Sequence, residues 1–339
     1  MTAAPLRWGV IGCTSWVARD AVIPALAGSP SAQVVAVASR DVTAATAVAA
    51  RVGATAHATY EALLADPAVE AVYIPLPNGL HLHWVEAAAR AGRHVLCEKP
   101  LGMDAADAAS MIAACREAGV LLVEACMAPH HPRSRAVRAV IRSGELGTLS
   151  SLSAAFRFPL DDASNHRWRR DMGGGALLDV GVYCLQPVMD AFGDEALLSV
   201  SAAVAMRGEV DAATRAWLDF GGGRSAVIDA SFDGAEAQRL EVVGAAATLV
   251  VDRPFTSGPD DTTIELRHRD GRCEVRDVGG GNAYRLMVED MAAAVRERRP
   301  PLHGTDRTLA VAGLMDAVRS AAGRSQSTGR SRPVSTSQT

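Results

Sequence analysis

No excess of basic residues, no paired cysteines and no long apolar run mark this sequence. A formal net charge of -4 leaves no basic stripe for nucleic acid and no polybasic anchor for a membrane surface. The six cysteines, Cys13, Cys97, Cys115, Cys126, Cys184 and Cys273, form no CxxC pair and keep no regular spacing. That pattern suits a reducing compartment, where thiols serve as small apolar residues. No apolar stretch approaches the ~20 residues of a membrane span, and no internal repeat is present. The opening MTAAPLRWGVIG enters a strand pattern at once, so the expectation is a cytoplasmic protein without a targeting segment.

What is present is core material for two domains. With 339 residues, 49% hydrophobic and 21% charged, the chain exceeds the ~100–200 residues of one ordinary domain. From residue 6 to 126, five apolar runs alternate with alanine-rich helical stretches: LRWGVIG, VVAVAS, AVYIPL, HVLCEK and LLVEAC. Near-continuous apolar runs are strands covered on both faces, so residues 1–126 predict a doubly wound α/β domain with a parallel sheet. Between the runs, Asp104 caps a helix that Gly119 closes. Past Met127, SLSAAFRF, LSVSAAVAM, RAWLDF and SAVIDASF follow one another with glycine-rich or acidic turns. Residues 127–322 therefore predict an α+β domain with a large, mostly antiparallel open sheet, a helix near 174–192, and closing helices near 283–298 and 305–322. The Ser-, Thr- and Arg-rich stretch 323–339 predicts a disordered tail.

The first strand-to-helix turn, GVIGCTSWVARD, is where such a sheet receives a phosphate, through free backbone N–H groups at a helix start. Gly12 permits the tight turn, and Gly12, Cys13, Thr14, Ser15 and Trp16 become candidate cofactor contacts. The G-x-G-x-x-G fingerprint is broken, with Thr14 at its second glycine and Val17 at its third. At the end of the second strand stand Ser39 and Arg40, where NAD-binding domains place an acidic residue. A hydroxyl and a guanidinium there favour the extra phosphate of NADP, unless Arg40 is a solvated surface residue. Asp41, one step on, suits a helix cap.

The fourth apolar run ends in HVLCEKPL, residues 94–101. Glu98 and Lys99 point to opposite faces of the strand, and Pro100 stops its hydrogen-bond ladder. A lysine fixed at the lip of a sheet suits chemistry better than solubility. Together with PLPNGLH (Pro75 to His81), EKP (Glu98 to Pro100) and GGGALLDVGVY (Gly173 to Tyr183), the sequence resembles the glucose-fructose oxidoreductase and inositol dehydrogenase family over nearly its whole length. Within that family it is most similar to the nucleotide-sugar 3-ketoreductases of deoxysugar biosynthesis, which carry segments like EACMAPHHP (Glu124 to Pro132) and GELG.

That resemblance implies that Lys99 lies beside nicotinamide and substrate, with a cis bond before Pro100, and that Leu76, Pro77, Asn78, His81, Glu98, Arg167 and Asp179 meet the cofactor. For His81 a ligand role and a purely helical one stand equal. Asp179 and Tyr183, four residues apart, share a helix face, and Pro187 should bend the helix just past the tyrosine. The pairs His81/His83 and His130/His131 lack a third ligand at useful spacing, so no metal is expected. The implied reaction is NADPH-dependent reduction of the C3 ketone of a dTDP-3,4-diketo-2,6-dideoxyhexose, as in antibiotic-type natural products. Tyr183 gives the proton and Lys99 polarises the carbonyl, its ammonium drawing the phenol pKa downward; which of the two donates stays open. The alternatives are a sugar, inositol or dihydrodiol dehydrogenase, or a non-catalytic NADP-binding regulator. A homodimer or homotetramer through the open sheet is expected, with neither nucleic acid nor membrane as partner.

Overall fold

The computed structural model describes residues 4–193 and 195–329. Its first sheet is built from the apolar runs: β1 (Leu6–Ile11), β2 (Ala32–Ala38), β4 (Ala71–Ile74), β5 (His94–Glu98) and β6 (Leu122–Ala125). Trp8, Val72, Tyr73, Ile74, Leu96 and Cys97 are fully buried, as strands with helices on both faces require. A sixth strand, β3 (Thr55–His57), pairs with β2 at the edge. Three half-exposed residues carry no apolar run, which is why the sequence reading counted five strands. All neighbours are parallel in the order β3-β2-β1-β4-β5-β6, with the reversal between β1 and β4.

The helices of this unit are α1 (Ile23–Ala27), α2 (Val42–Val52), α3 (Tyr60–Ala65), α4 (His81–Arg90) and α5 (Ala105–Glu117). Asp104 accepts from the Asp107 N–H and caps α5 as expected. A π turn, Ala18–Val22, leads into α1.

After α6 (Pro132–Arg142), the chain lays down β7 (Leu149–Arg157) and crosses α7 (Val182–Phe192). It then adds β8 (Ser199–Arg207), β9 (Val210–Gly221), β10 (Arg224–Ser231), β11 (Ala237–Gly244), β12 (Ala247–Asp252), β13 (Thr263–His268) and β14 (Cys273–Asp277). These form an eight-stranded sheet, β14-β13-β12-β11-β7-β10-β9-β8. Only β7 and β10 run parallel; every other pair is antiparallel. The helix expected over 174–192 starts as a π turn, Leu177–Gly181, before α7, so its irregular winding precedes Tyr183, and Pro187 lies inside α7.

Two helices close the chain, α8 (Ala283–Glu297) and α9 (Thr305–Gly329). The second continues past Gly323, where the sequence reading began its tail; residues 330–339 lie outside the described residues. The split at residue 126 also understates the packing, because α8 returns to the first unit, lying on α1 and β2. Arg296 of α8 binds Glu70 and the carbonyls of Ala4 and Pro5. Among the described residues no helix is long and apolar enough to cross a membrane.

Candidate active site

Parallel strands end together, so the residues just past their carboxyl ends meet in space. Gly12, Ser39, Pro75, Lys99 and Ala125, each one residue beyond β1, β2, β4, β5 and β6 or next to that point, line a single cleft of about 1730 Å³. The second unit supplies its other wall, from Phe156, Phe158, Asn165 to Arg167, Asp179, Tyr183 and Phe255.

At the first turn Gly12 has φ +73°, and a Cβ there would strike the Leu76 side chain at 2.7 Å. The Gly12 and Cys13 N–H groups donate to the Ala38 carbonyl at 2.8 and 3.1 Å, tying the turn to the end of β2. Gly12, Thr14, Ser15, Trp16 and Val17 line the cleft, Trp16 at 68% exposure. Thr14 and Ser39 share a hydroxyl hydrogen bond of 2.9 Å. Arg40 is exposed on the cleft with no ion-pair partner among the described residues. Asp41 caps α2, accepting from the Ala44 N–H at 2.9 Å. A tight glycine turn lining the cleft, an unpaired guanidinium and an engaged Asp41 fit a 2′-phosphorylated dinucleotide. Cys13 does not join them: its side chain is fully buried in the core, and burial pushes the thiol up to about 11.

Leu76, Pro77 and Asn78 line the cleft, and Asn78 Nδ2 donates across it to the Gly173 carbonyl at 2.8 Å. His81 is a correction. It is fully buried beneath the loop, with Nε2 2.8 Å from the Leu76 carbonyl and Nδ1 3.0 Å from that of Leu101. It staples two loops and does not line the cleft, and residue type alone could not reveal this inward turn.

The bond Lys99–Pro100 is cis. Lys99 Nζ donates to the Asp179 carbonyl at 2.7 Å and to Asp179 Oδ1 at 3.1 Å. Arg167 Nε donates to Asp179 Oδ2 at 2.7 Å. Burial alone would raise the Asp179 pKa, but Lys99 and Arg167 overcome it and hold the carboxyl at about 2. The π turn that carries Asp179 is pinned at its start by Asp211, which accepts from the Leu177 N–H at 2.7 Å. Gly175, at φ +111°, leaves room for that carboxylate.

Tyr183 lines the same corner, 6% exposed, with its ring 4.9 Å from Lys99 Nζ. The ammonium therefore faces the ring, while the hydroxyl points to Met127 Sδ at 3.5 Å. Burial drives the phenol pKa well up, so the expected downward pull from Lys99 does not occur. Glu98 lines the cleft floor as a half-buried carboxyl whose pKa desolvation raises, with the Tyr73 hydroxyl donating to it at 2.6 Å.

Several cleft residues escaped the sequence reading. Asn165 and His166 sit on a loop whose only motif was Arg167; burial lowers the His166 pKa, leaving a neutral imidazole beside Arg167. Phe156 and Phe158 at the end of β7, Phe255 beyond β12 and Tyr284 on α8 meet only in the fold. His131 lines the cleft while accepting from the Arg133 N–H, and His130 is buried. Among the described residues no three His, Cys, Asp or Glu side chains gather as metal ligands.

A dinucleotide turn facing a lysine, a carboxylate and a phenol across one cleft defines an oxidoreductase site. Residues 6–125 match the oxidoreductase family with an NAD-binding Rossmann fold, and residues 134–250 match the GFO/IDH/MocA C-terminal domain. The chain belongs to the GFO/IDH/MocA oxidoreductase family. It is 38% identical over 335 residues to a dTDP-3,4-didehydro-2,6-dideoxy-alpha-D-glucose 3-reductase of Streptomyces violaceoruber, covering 95% of this chain and 96% of that protein. It is 35% identical to D-xylose 1-dehydrogenase (NADP(+)) 2 of Haloferax volcanii, over 92% and 96% of the two chains. Among solved structures it is similar to KijD10, a 3-ketoreductase from Actinomadura kijaniata in complex with NADP and TDP-benzene. The TM-score is 0.87 at 33% identity, over 94% of this chain and 98% of that one. The enzyme is thus an oxidoreductase of mixed α/β fold.

Proposed function

We propose that the protein is an NADPH-dependent 3-ketoreductase acting on a dTDP-3,4-diketo-2,6-dideoxyhexose. The cofactor is NADP, supported by the unpaired Arg40 and by the NADP complexes of KijD10. The observation that carries the reading is the corner in which Lys99, Asp179 and Tyr183 meet. In KijD10, variants exist at a lysine and a tyrosine separated by the same number of residues as Lys99 and Tyr183 here.

Bound NADPH supplies the hydride. Negative charge then grows on the carbonyl oxygen, which becomes a strong base and takes a proton. Tyr183, kept protonated by burial, holds a proton in the cleft wall, and the alkoxide is basic enough to take it. The Lys99 ammonium, aimed by both oxygens of Asp179 that it contacts, stabilises the developing charge. Arg167 holds the other carboxylate oxygen and so keeps Asp179 from turning. Phe156, Phe158 and Phe255 offer an apolar wall suited to a ring that has lost hydroxyls. The sheet face carrying paired Val227 and Trp217, the latter 52% exposed, is assigned to a homo-oligomer interface.

The similarity to a D-xylose dehydrogenase favours a second reading, oxidation of a free sugar. Purified protein mixed with NADPH and the dTDP-diketo sugar, generated in situ, should consume NADPH. Reduction of NADP by D-xylose together with inertness toward the nucleotide sugar would replace the first reading by the second.

A further inference from the structure

The loop that carries Lys99 is gripped from behind by a buried carboxylate that lies outside the cleft. Glu124, on β6, is 3% exposed. Its Oε1 accepts the Leu101 N–H at 2.9 Å, two residues past the lysine. Its Oε2 meets His303 Nε2 at 2.9 Å and the Thr308 hydroxyl at 3.1 Å. His303 belongs to the turn between α8 and α9, and that turn is itself fixed. The Leu302 N–H donates to Asp290 Oδ2 at 2.8 Å, and Arg299 donates to Asp290 Oδ1 at 2.8 Å. On the opposite side the Leu101 carbonyl faces His81 Nδ1 at 3.0 Å. Both polar groups of Leu101 are therefore held, one of them by a chain of contacts that runs to the carboxyl-terminal helices.

We infer that Glu124 is a positioning residue for Lys99, through which the turn between α8 and α9 sets where the ammonium stands. The inference rests on the role given to Lys99 in the proposed function. Burying a carboxylate is costly, and this one is retained against that cost with each oxygen engaged, one by the Leu101 N–H and the other by His303 and Thr308. What an apolar residue lacks is an acceptor for the Leu101 N–H and a link to His303. Losing the acceptor frees the residue two positions from a group that must sit within hydrogen-bond reach of the reacting oxygen. A displacement of about 1 Å at such a group costs about 10²-fold in rate.

The test compares Glu124→Ala, Glu124→Gln and Lys99→Ala with the wild-type enzyme. The readouts are kcat, KM, NADPH affinity by fluorescence titration, and hydrogen exchange across the segment containing Leu101. Glu124→Ala should lose about 10²-fold in kcat with NADPH affinity unchanged and exchange at Leu101 accelerated. Glu124→Gln keeps an acceptor for the Leu101 N–H and should recover most of that loss. A merely structural carboxylate would lower melting temperature while leaving kcat alone, and that result overturns the inference. So does a glutamine variant no better than the alanine one, or a parallel loss of cofactor affinity. If Lys99→Ala keeps full turnover, the lysine assignment itself falls, a result separable from failure at Glu124 alone. Should Glu124→Ala not fold, His303→Gln and Thr308→Val weaken the same link from its far end, and turnover equal to wild type in both overturns the inference.

Discussion

Replacing Asp179 by asparagine removes one charge from the centre of the site with almost no change in shape. Its carboxylate lies between two cations, 3.1 Å from Lys99 Nζ and 2.7 Å from Arg167 Nε. The folded protein holds this carboxyl at about 2, against an ordinary value of 3.8. At 1.36 kcal/mol per pKa unit, that difference corresponds to about 2–3 kcal/mol of stability at neutral pH. The sign follows from the lowered pKa: the contribution is complete above about pH 4, where the unfolded carboxyl is ionised, and fades as pH falls toward 2. Asp179→Asn should therefore be about 2–3 kcal/mol less stable than wild type in urea unfolding at pH 7. The gap should narrow as unfolding is repeated down to about pH 3. Turnover should fall too, because two cations then face each other and the lysine loses its aim. An asparagine variant as stable as wild type at pH 7, or a gap indifferent to pH, would refute the electrostatic account of this corner.

Tyr183→Phe loses only a hydroxyl whose contact is a 3.5 Å approach to sulfur. Stability in urea should change by less than about 1 kcal/mol, while steady-state turnover drops about 10²–10⁴-fold; unchanged turnover would move the proton to Lys99. Arg40→Ala should weaken NADPH binding about 10–100-fold in titration and leave NADH binding unaltered, since it removes one charged contact to a phosphate. Gly79→Ala would drive a Cβ into the Asp171 carbonyl where the two units meet. The expected cost is about 1–3 kcal/mol of stability with a raised KM, read by thermal melting and kinetics.

The strands of the first sheet were legible because burial on both faces forces unbroken apolar runs, as at Val72 to Ile74. Thr55 to His57 escaped because an edge strand of three residues needs no such run. Gly12, Ser39 and Lys99 followed from their places at strand ends plus residue type, Asn78 from the family resemblance, and all line the cleft. Cys13 and His81 did not, since proximity in sequence says nothing about which way a side chain turns, and both turn inward. The phenol of Tyr183 was misjudged for a related reason. Sequence placed a cation near it but could not show that the ammonium meets the ring face, where it leaves the hydroxyl to burial. The aromatic wall joins Phe156 and Phe158 to Phe255 and Tyr284 from distant segments, which no local pattern encodes.

The return of α8 to the first sheet bears on any attempt to cut or graft this enzyme. A fragment ending near residue 126 would bare the flank of α1 and β2 on which Met287, Val288 and Met291 help to build the buried core. It would also strand Glu70 without the guanidinium of Arg296. Recombining halves from related reductases should succeed only when α8 travels with the amino-terminal piece, while α9, which lies on β8 and α7 as well as on α5, must match both parents.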